Sequence, residues 1–260
     1  MKAIVNANVA DLRIKPSHRS ERTSQGLFDE IVEIKDEIDQ FFCVEFNDGY
    51  QGWMAKQFLT ENAPFDGDGP YIIDSNIAPA YAGPNISARR LTNLPYGCQV
   101  YGKMNQGFLN AETARWGAIF VPKEDLIDKN AMVAPRRIGS EEIAREADKF
   151  LGAPYLWGGR SFFGFDCSGF VKAIAARFGI ELPRDSKDQM KVGLEIGRDD
   201  VRAGDLLFFK RHVALAIFKD LFIHCSRGNG GVDFNSLSPV NPRYSANLDK
   251  AFITARRIFS

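Results

Sequence analysis

Phe165-Asp166-Cys167-Ser168-Gly169-Phe170-Val171-Lys172-Ala173-Ile174-Ala175-Ala176-Arg177-Phe178-Gly179 is the stretch from which the rest of the chain is best read. Phe170, Val171, Ile174 and Phe178 recur at helical spacing and Gly179 supplies a stop, so a helix begins at Cys167. A thiol at the head of a helix lies at the positive end of its dipole, which favours the thiolate and hence nucleophilic chemistry. Such a thiol needs a base. The chain has 3 histidines, and His212 and His224 lie downstream in runs that alternate as strands: Leu206 to Phe209, His212 to Ile217 and Leu221 to His224. One imidazole suits the base and the other its orienting partner. Alternation imposes a condition. The two histidines share a sheet face if Phe218-Lys219-Asp220 forms a three-residue turn, and lie on opposite faces if Lys219-Asp220 alone turns the chain.

Upstream of Cys167, Ser140 is positioned to cap a helix whose Ile143, Ala147, Phe150 and Leu151 form one apolar face before Gly152. Helices followed by strands make residues 133–260 an α+β unit. Residues 1 to 130 read differently, as short apolar-alternating runs broken by Gly, Pro, Asn and Asp, which predicts small antiparallel barrels. Ile31 to Ile34 and Phe42 to Phe46 flank an acidic hairpin tip, and Asn47-Asp48-Gly49 turns the chain into Gln51-Gly52-Trp53-Met54. A second copy follows a linker-like stretch from Asn62 to Pro70. In it Asn76-Ile77-Ala78 answers Asn8-Val9-Ala10, and Gly117-Ala118-Ile119-Phe120 answers Gly52-Trp53-Met54. The domains are therefore expected at 1–64, 65–132 and 133–260.

Composition narrows the function classes. Lys plus Arg (33) equals Asp plus Glu (33), so the formal net charge is zero and neither a nucleic acid nor an anionic membrane is an expected partner. Met1 to Asn8 reaches Asn after three apolar residues, too early for a secretory core segment, and the four cysteines form no CxxC pair. A cytoplasmic protein is expected, or a secreted or periplasmic one if a leader has been removed. No metal site is expected, because Cys167 and His212 are isolated and only His224-Cys225 are neighbours, unlike paired zinc-ligand spacings. No cofactor is expected either. Cys43 and Cys98 read as packing residues, Cys225 as pointing away from the His224 face, and His18 as a solvated loop residue.

Pro154-Tyr155-Leu156-Trp157-Gly158-Gly159, Phe165-Asp166-Cys167-Ser168-Gly169-Phe170, Gly204-Asp205-Leu206, His212-Val213 and Ile223-His224 occur in this order. Together they resemble the NlpC-type cell-wall cysteine peptidases. Ala10-Asp11-Leu12-Arg13 with Asp48-Gly49-Tyr50-Gln51-Gly52-Trp53 resembles bacterial SH3-like domains, more closely in the first copy than in the second. The layout is similar to γ-D-glutamyl-L-diamino acid endopeptidases. The resemblance implies a minimal papain-like α+β catalytic fold behind two SH3-like barrels, with Cys167 as nucleophile, His212 as general base and then acid, and His224 as the third, orienting member. It also implies Arg184 and Asp185 as substrate-binding residues, Tyr50 and Glu21 as contributions of the first barrel to the pocket, and Asp166 and Ser168 lining the same site. Tyr155 is expected as a second oxyanion donor beside the Cys167 backbone N–H.

The implied substrates are free murein tripeptides and tetrapeptides, L-Ala-γ-D-Glu-diamino acid, cut after D-Glu. An unblocked N-terminus is required because an ammonium held between carboxylates is costly to lose. Arg211 stands where the family pattern commonly has Gly, which bears on substrate detail. A lytic hydrolase of intact peptidoglycan, a non-catalytic wall-peptide binding protein, and transferase or amidase chemistry on the same fold remain as alternatives.

Overall fold

The computed structural model describes residues 1–61, 68–129 and 138–259, in two compact units, Met1–Val133 and Ala134–Ser260. Most of the expected 62–70 linker, and the junction near 133, lie outside the described residues.

The first unit is built from strands. β1 (Lys2–Val5), β2 (Val9–Arg13), β3 (Arg22–Leu27), β4 (Ile31–Ile38), β5 (Phe41–Phe46), β6 (Gln51–Ala55) and β7 (Leu59–Glu61) form one sheet in the order β3-β2-β6-β5-β4-β1-β7. The next seven are β8 (Asp68–Ile73), β9 (Ile77–Tyr81), β10 (Arg90–Pro95), β11 (Gln99–Asn105), β12 (Phe108–Thr113), β13 (Gly117–Pro122) and β14 (Leu126–Asp128). Their order, β10-β9-β13-β12-β11-β8-β14, is the first sheet's order shifted by seven. Strand β9 therefore holds the place of β2, and β13 that of β6, the correspondence that the Asn-x-Ala and Gly-aromatic repeats indicate. Each sheet closes over its own core: Leu12, Val44 and Met54 in the first, Ile73, Leu94 and Ile119 in the second. The end of β3 and the turn that follows put Leu27 and Phe28 into the second core, and Asn8 donates to the Asn93 carbonyl at 2.7 Å.

Asp29, at the end of that turn, has a left-handed backbone (φ 65°), and burial raises its carboxyl to about 6. A group raised in the folded state gives stability that is complete below its unfolded value and is lost as pH rises through the folded one. Asp29→Asn is therefore expected to stabilise the first unit at pH 8 by about 1 kcal/mol, discounted for partial exposure, and to be neutral below pH ~4. Calorimetric melts across that range check it, and a pH-independent difference would exclude burial of the charge as the cause.

In the second unit a short hairpin, β15 (Arg160–Ser161) with β16 (Gly164–Phe165), lies between α1 (Ser140–Asp148) and α2 (Cys167–Arg177). The short helix α3 (Ser186–Gln189) follows. The sheet takes β17 (Leu194–Ile196), β18 (Leu206–Phe209), β19 (His212–Ala216), β20 (Leu221–Ser226), β21 (Gly231–Ser236) and, after α4 (Ala246–Ala251), β22 (Phe252–Arg257). Its order is β17-β22-β18-β19-β20-β21.

Both sheet faces are covered, one by α2 and the other by a cluster including Leu207, Ala214, Phe222 and the α4 residue Leu248. Cover on both faces is why Leu206 to Phe209 and Val213 to Ile217 read as continuous apolar runs. Phe150, Phe165 and Phe170 meet edge to face, with ring centroids 5.4 to 6.0 Å apart, and tie the α1 turn and the β16 strand to α2.

Two sequence expectations change in this unit. The cap of α1 is Gly139, one residue before Ser140, and its N–H donates to the Glu142 carboxylate at 3.1 Å. Leu151, expected on the apolar face, is exposed because the helix ends at Asp148 and Gly152 (φ 80°) turns the chain away. Among the described residues no helix is long and apolar enough to cross a membrane.

Candidate active site

Asp166 caps the helix that carries Cys167. Its Oδ1 accepts the Gly169 N–H at 2.7 Å, satisfying one of the orphan donors of the first turn, and its Oδ2 accepts the Gly158 N–H at 3.0 Å. Gly169 permits this close seating, since a Cβ there would lie 2.1 Å from the Gly159 carbonyl oxygen. Cys167 is consequently held at the first helical position. Burial pushes its thiol up to about 11 and the Asp166 charge adds to the rise. Backbone N–H groups of Val213 and Ser168 and the Arg184 guanidinium act in the opposite sense. The Val213 contact sets the sulfur beside the residue that follows His212.

β19 and β20 are joined across Phe218-Lys219-Asp220, with Leu215 opposite Ile223 and the Ile217 N–H donating to the Leu221 carbonyl at 2.8 Å. This is the three-residue alternative, and it puts the two histidines on one face: His212 Nε2 and His224 Nδ1 are 2.6 Å apart. Burial, reinforced by His224, holds His212 down to about 3. Burial likewise lowers His224, against the hydrogen bond it makes to the Asn235 side chain. These directions favour the uncharged forms of the thiol and of both imidazoles.

Asn235 Oδ1 lies 2.8 Å from His224 Nε2, and Asn229 Nδ2 donates to the same oxygen at 3.0 Å. Neither residue stood out in the sequence. The signal was available in the pairing of β21 with β20, where His224 faces Asp233 and Asn235 follows two residues on along the same face.

Arg184, expected as a substrate-binding residue, pairs with the protein's own Asp166 carboxylate. Its side chain is 2% exposed, with Nη2 2.6 Å from Asp166 Oδ2 and Nη1 3.1 Å from Oδ1. Ser168 Oγ accepts from Arg184 at 2.9 Å and donates to Asp166 at 3.2 Å. The three form a buried cluster that supports the nucleophile's helix, and Asp166, with five donors on one carboxylate, has little capacity left for a ligand. Asp185 is half-buried at the head of α3, with Lys187 Nζ 3.9 Å away.

Tyr155 is half-buried, and its phenol is raised by burial and then by Cys167 and Asp166, which places the hydroxyl in their field. Cys225 Sγ donates to the Phe165 carbonyl at 3.0 Å, away from the histidines, as alternation requires. Tyr50 and Glu21 belong to the first unit, where Tyr50 packs partly on the first core and Glu21 is exposed. No cluster of potential metal ligands occurs among the described residues.

Residues 152–253 match the model of the NlpC/P60 family, and residues 12–59 match the bacterial dipeptidyl-peptidase SH3 domain. The chain is 33% identical over 223 residues to a γ-D-glutamyl-L-lysine dipeptidyl-peptidase of Bacillus subtilis, covering 82% of this chain and 70% of that protein. It is 26% identical to dipeptidyl-peptidase 6 of Lysinibacillus sphaericus over 95% and 96% of the two chains. An NlpC/P60 family protein from Bacillus cereus has the same fold along the whole of both chains, with a TM-score of 0.88 at 22% identity. The chain belongs to the NlpC/P60 family of cysteine peptidases, in the group that carries a bacterial dipeptidyl-peptidase SH3 domain and acts in a peptidoglycan context.

Proposed function

We propose that the protein hydrolyses the γ-D-Glu-diamino acid bond of free murein peptides whose N-terminal L-Ala is unblocked, releasing the dipeptide L-Ala-D-Glu. The observation that carries the chemistry is the 2.6 Å contact between His212 Nε2 and His224 Nδ1, which leaves His212 Nδ1 as the nitrogen available to the thiol. The dipeptidyl-peptidase relative that spans most of the chain supports the choice of bond.

In this reading Cys167 Sγ attacks the γ-carbonyl carbon as His212 Nδ1 takes the thiol proton. The developing oxyanion is met by the Cys167 backbone N–H at the start of α2 and by the Tyr155 hydroxyl. His212 then gives its proton to the departing amine, the C–N bond breaks, and a thioester remains. Water, deprotonated by the same imidazole, cleaves the thioester and restores the thiol. Asp185, half-buried at the head of α3, is the candidate in this unit for the substrate ammonium group. Peptide recycling in the cytoplasm is the setting we propose.

The test compares L-Ala-γ-D-Glu-meso-diaminopimelate with the same peptide acylated on its amine. Cleavage of the free peptide, with the acylated one slower by at least ~100-fold, is expected, because acylation removes the ammonium that Asp185 would pair with. Equal cleavage of both would favour a lytic enzyme of intact wall, and cleavage of neither would favour binding or transfer.

A further inference from the structure

The hydrogen bonds of the His212–His224 pair continue into β21, to a residue that the resemblance does not assign. Asn235 Nδ2 donates to the Arg243 carbonyl at 3.1 Å, and that carbonyl also accepts the Ser236 N–H at 2.9 Å, which fixes the orientation of the Asn235 amide. Its Oδ1 must therefore be the atom 2.8 Å from His224 Nε2. Asn229 Nδ2 lies 3.0 Å from the same Oδ1 and 3.2 Å from His224 Nε2, and by donating to the nearer Oδ1 it fills the oxygen's other lone pair.

From there the protons follow in sequence. An amide oxygen only accepts, and it lies nearer to His224 Nε2 (2.8 Å) than the Asn229 amide nitrogen does (3.2 Å), so His224 Nε2 carries a hydrogen. A neutral imidazole has one N–H, so His224 Nδ1 is bare. His212 Nε2, 2.6 Å from that bare nitrogen, must then donate, and His212 Nδ1 is left with its lone pair. If the Asn235 oxygen is removed, this tautomer loses its acceptor, and Asn229 Nδ2 is left within reach to donate to a bare His224 Nε2. His224 is free to carry its hydrogen on Nδ1, and His212 is then free to carry its own on the nitrogen that has to accept the thiol proton.

We propose that Asn235 is a positioning residue of the hydrolysis: its Oδ1 sets the tautomer of His224, and through His224 it keeps the Nδ1 lone pair of His212 available to Cys167. The mechanistic part rests on the reading of Cys167 and His212 as nucleophile and base, whereas the tautomer part does not.

Two substitutions separate the acceptor from the scaffold. Asn235→Asp keeps an oxygen toward His224 and loses the donor to Arg243, while Asn235→Leu loses both. In Asn235→Leu kcat is expected to fall about 10- to 100-fold, the size seen when a group orienting a functional histidine is removed, with KM within about twofold. Asn235→Asp should retain most of kcat. Equal losses in the two variants would overturn the proposal, since both lose the Arg243 bond. Nitrogen-15 chemical shifts of the imidazoles in the substrate-free protein provide the second arm. Nε2–H is expected on both His212 and His224 in the wild type, with the Nδ1–H form appearing in Asn235→Leu. A wild-type His224 with its hydrogen on Nδ1 would overturn the proposal even if the murein peptide proved not to be the substrate.

Discussion

Cys167→Ala is expected to lower turnover of the free tripeptide by at least about 10^4-fold, the scale seen when the nucleophile of a Cys- or Ser-His system is removed. Stability should change little. Alanine is the best helix former, the cap on this turn comes from Asp166 and Gly169, and the deletion removes one sulfur from a half-buried position. Cys225→Ala is the matching control. That thiol is fully buried and bonded to the Phe165 carbonyl, so its loss should cost about 1 kcal/mol of stability and leave kcat near the wild-type value. Rates and melts of the two variants, measured side by side, check the assignment. Residual activity in Cys167→Ala within tenfold of wild type would remove the acyl-enzyme from the mechanism.

Sequence periodicity was informative where one side of an element met a core. The helix after Cys167 and the three central strands follow directly from residues that are buried at period 3.6 or in continuous runs. The two edges of the sheet, β17 with β22 and β21, were not legible. Their residues alternate irregularly, with half-buried Asp233, Phe234 and Asn235 in one strand, and pairing alone makes them strands. The first unit shows the same contrast. A faint repeat of short motifs corresponded to a complete repetition of strand order, because strand order depends on turn placement, which Asn, Asp and Gly preserve when core side chains diverge.

At the site, the order of motifs indicated the cysteine and the histidines. Which side chains a charged residue meets is set by distant segments, and that is why Arg184 and Asn235 escaped a linear reading. A guanidinium after a helix suits a ligand carboxylate in sequence; only the fold shows that Asp166, 18 positions earlier, already occupies it.

The second large effect follows from that pair. Arg184→Met leaves the Asp166 carboxylate with its N–H donors but without the cation that offsets its burial, and breaking one partner of a buried ion pair costs about 3–5 kcal/mol. The cost falls on the helix that carries the nucleophile, so the midpoint of urea unfolding of the second unit should drop and kcat should fall with it. Asp166→Asn in the same background removes the stranded charge while keeping an oxygen for the Gly169 N–H. The double variant should therefore be more stable than Arg184→Met alone, with a coupling of about 1–3 kcal/mol in the double-mutant cycle. A direct grip on substrate gives a different pattern: in that case Arg184→Met would raise KM, leave the unfolding midpoint in place and show no coupling to Asp166. Because the guanidinium has both carboxylate oxygens within 3.1 Å and almost no exposed surface, loss of stability is the expected result.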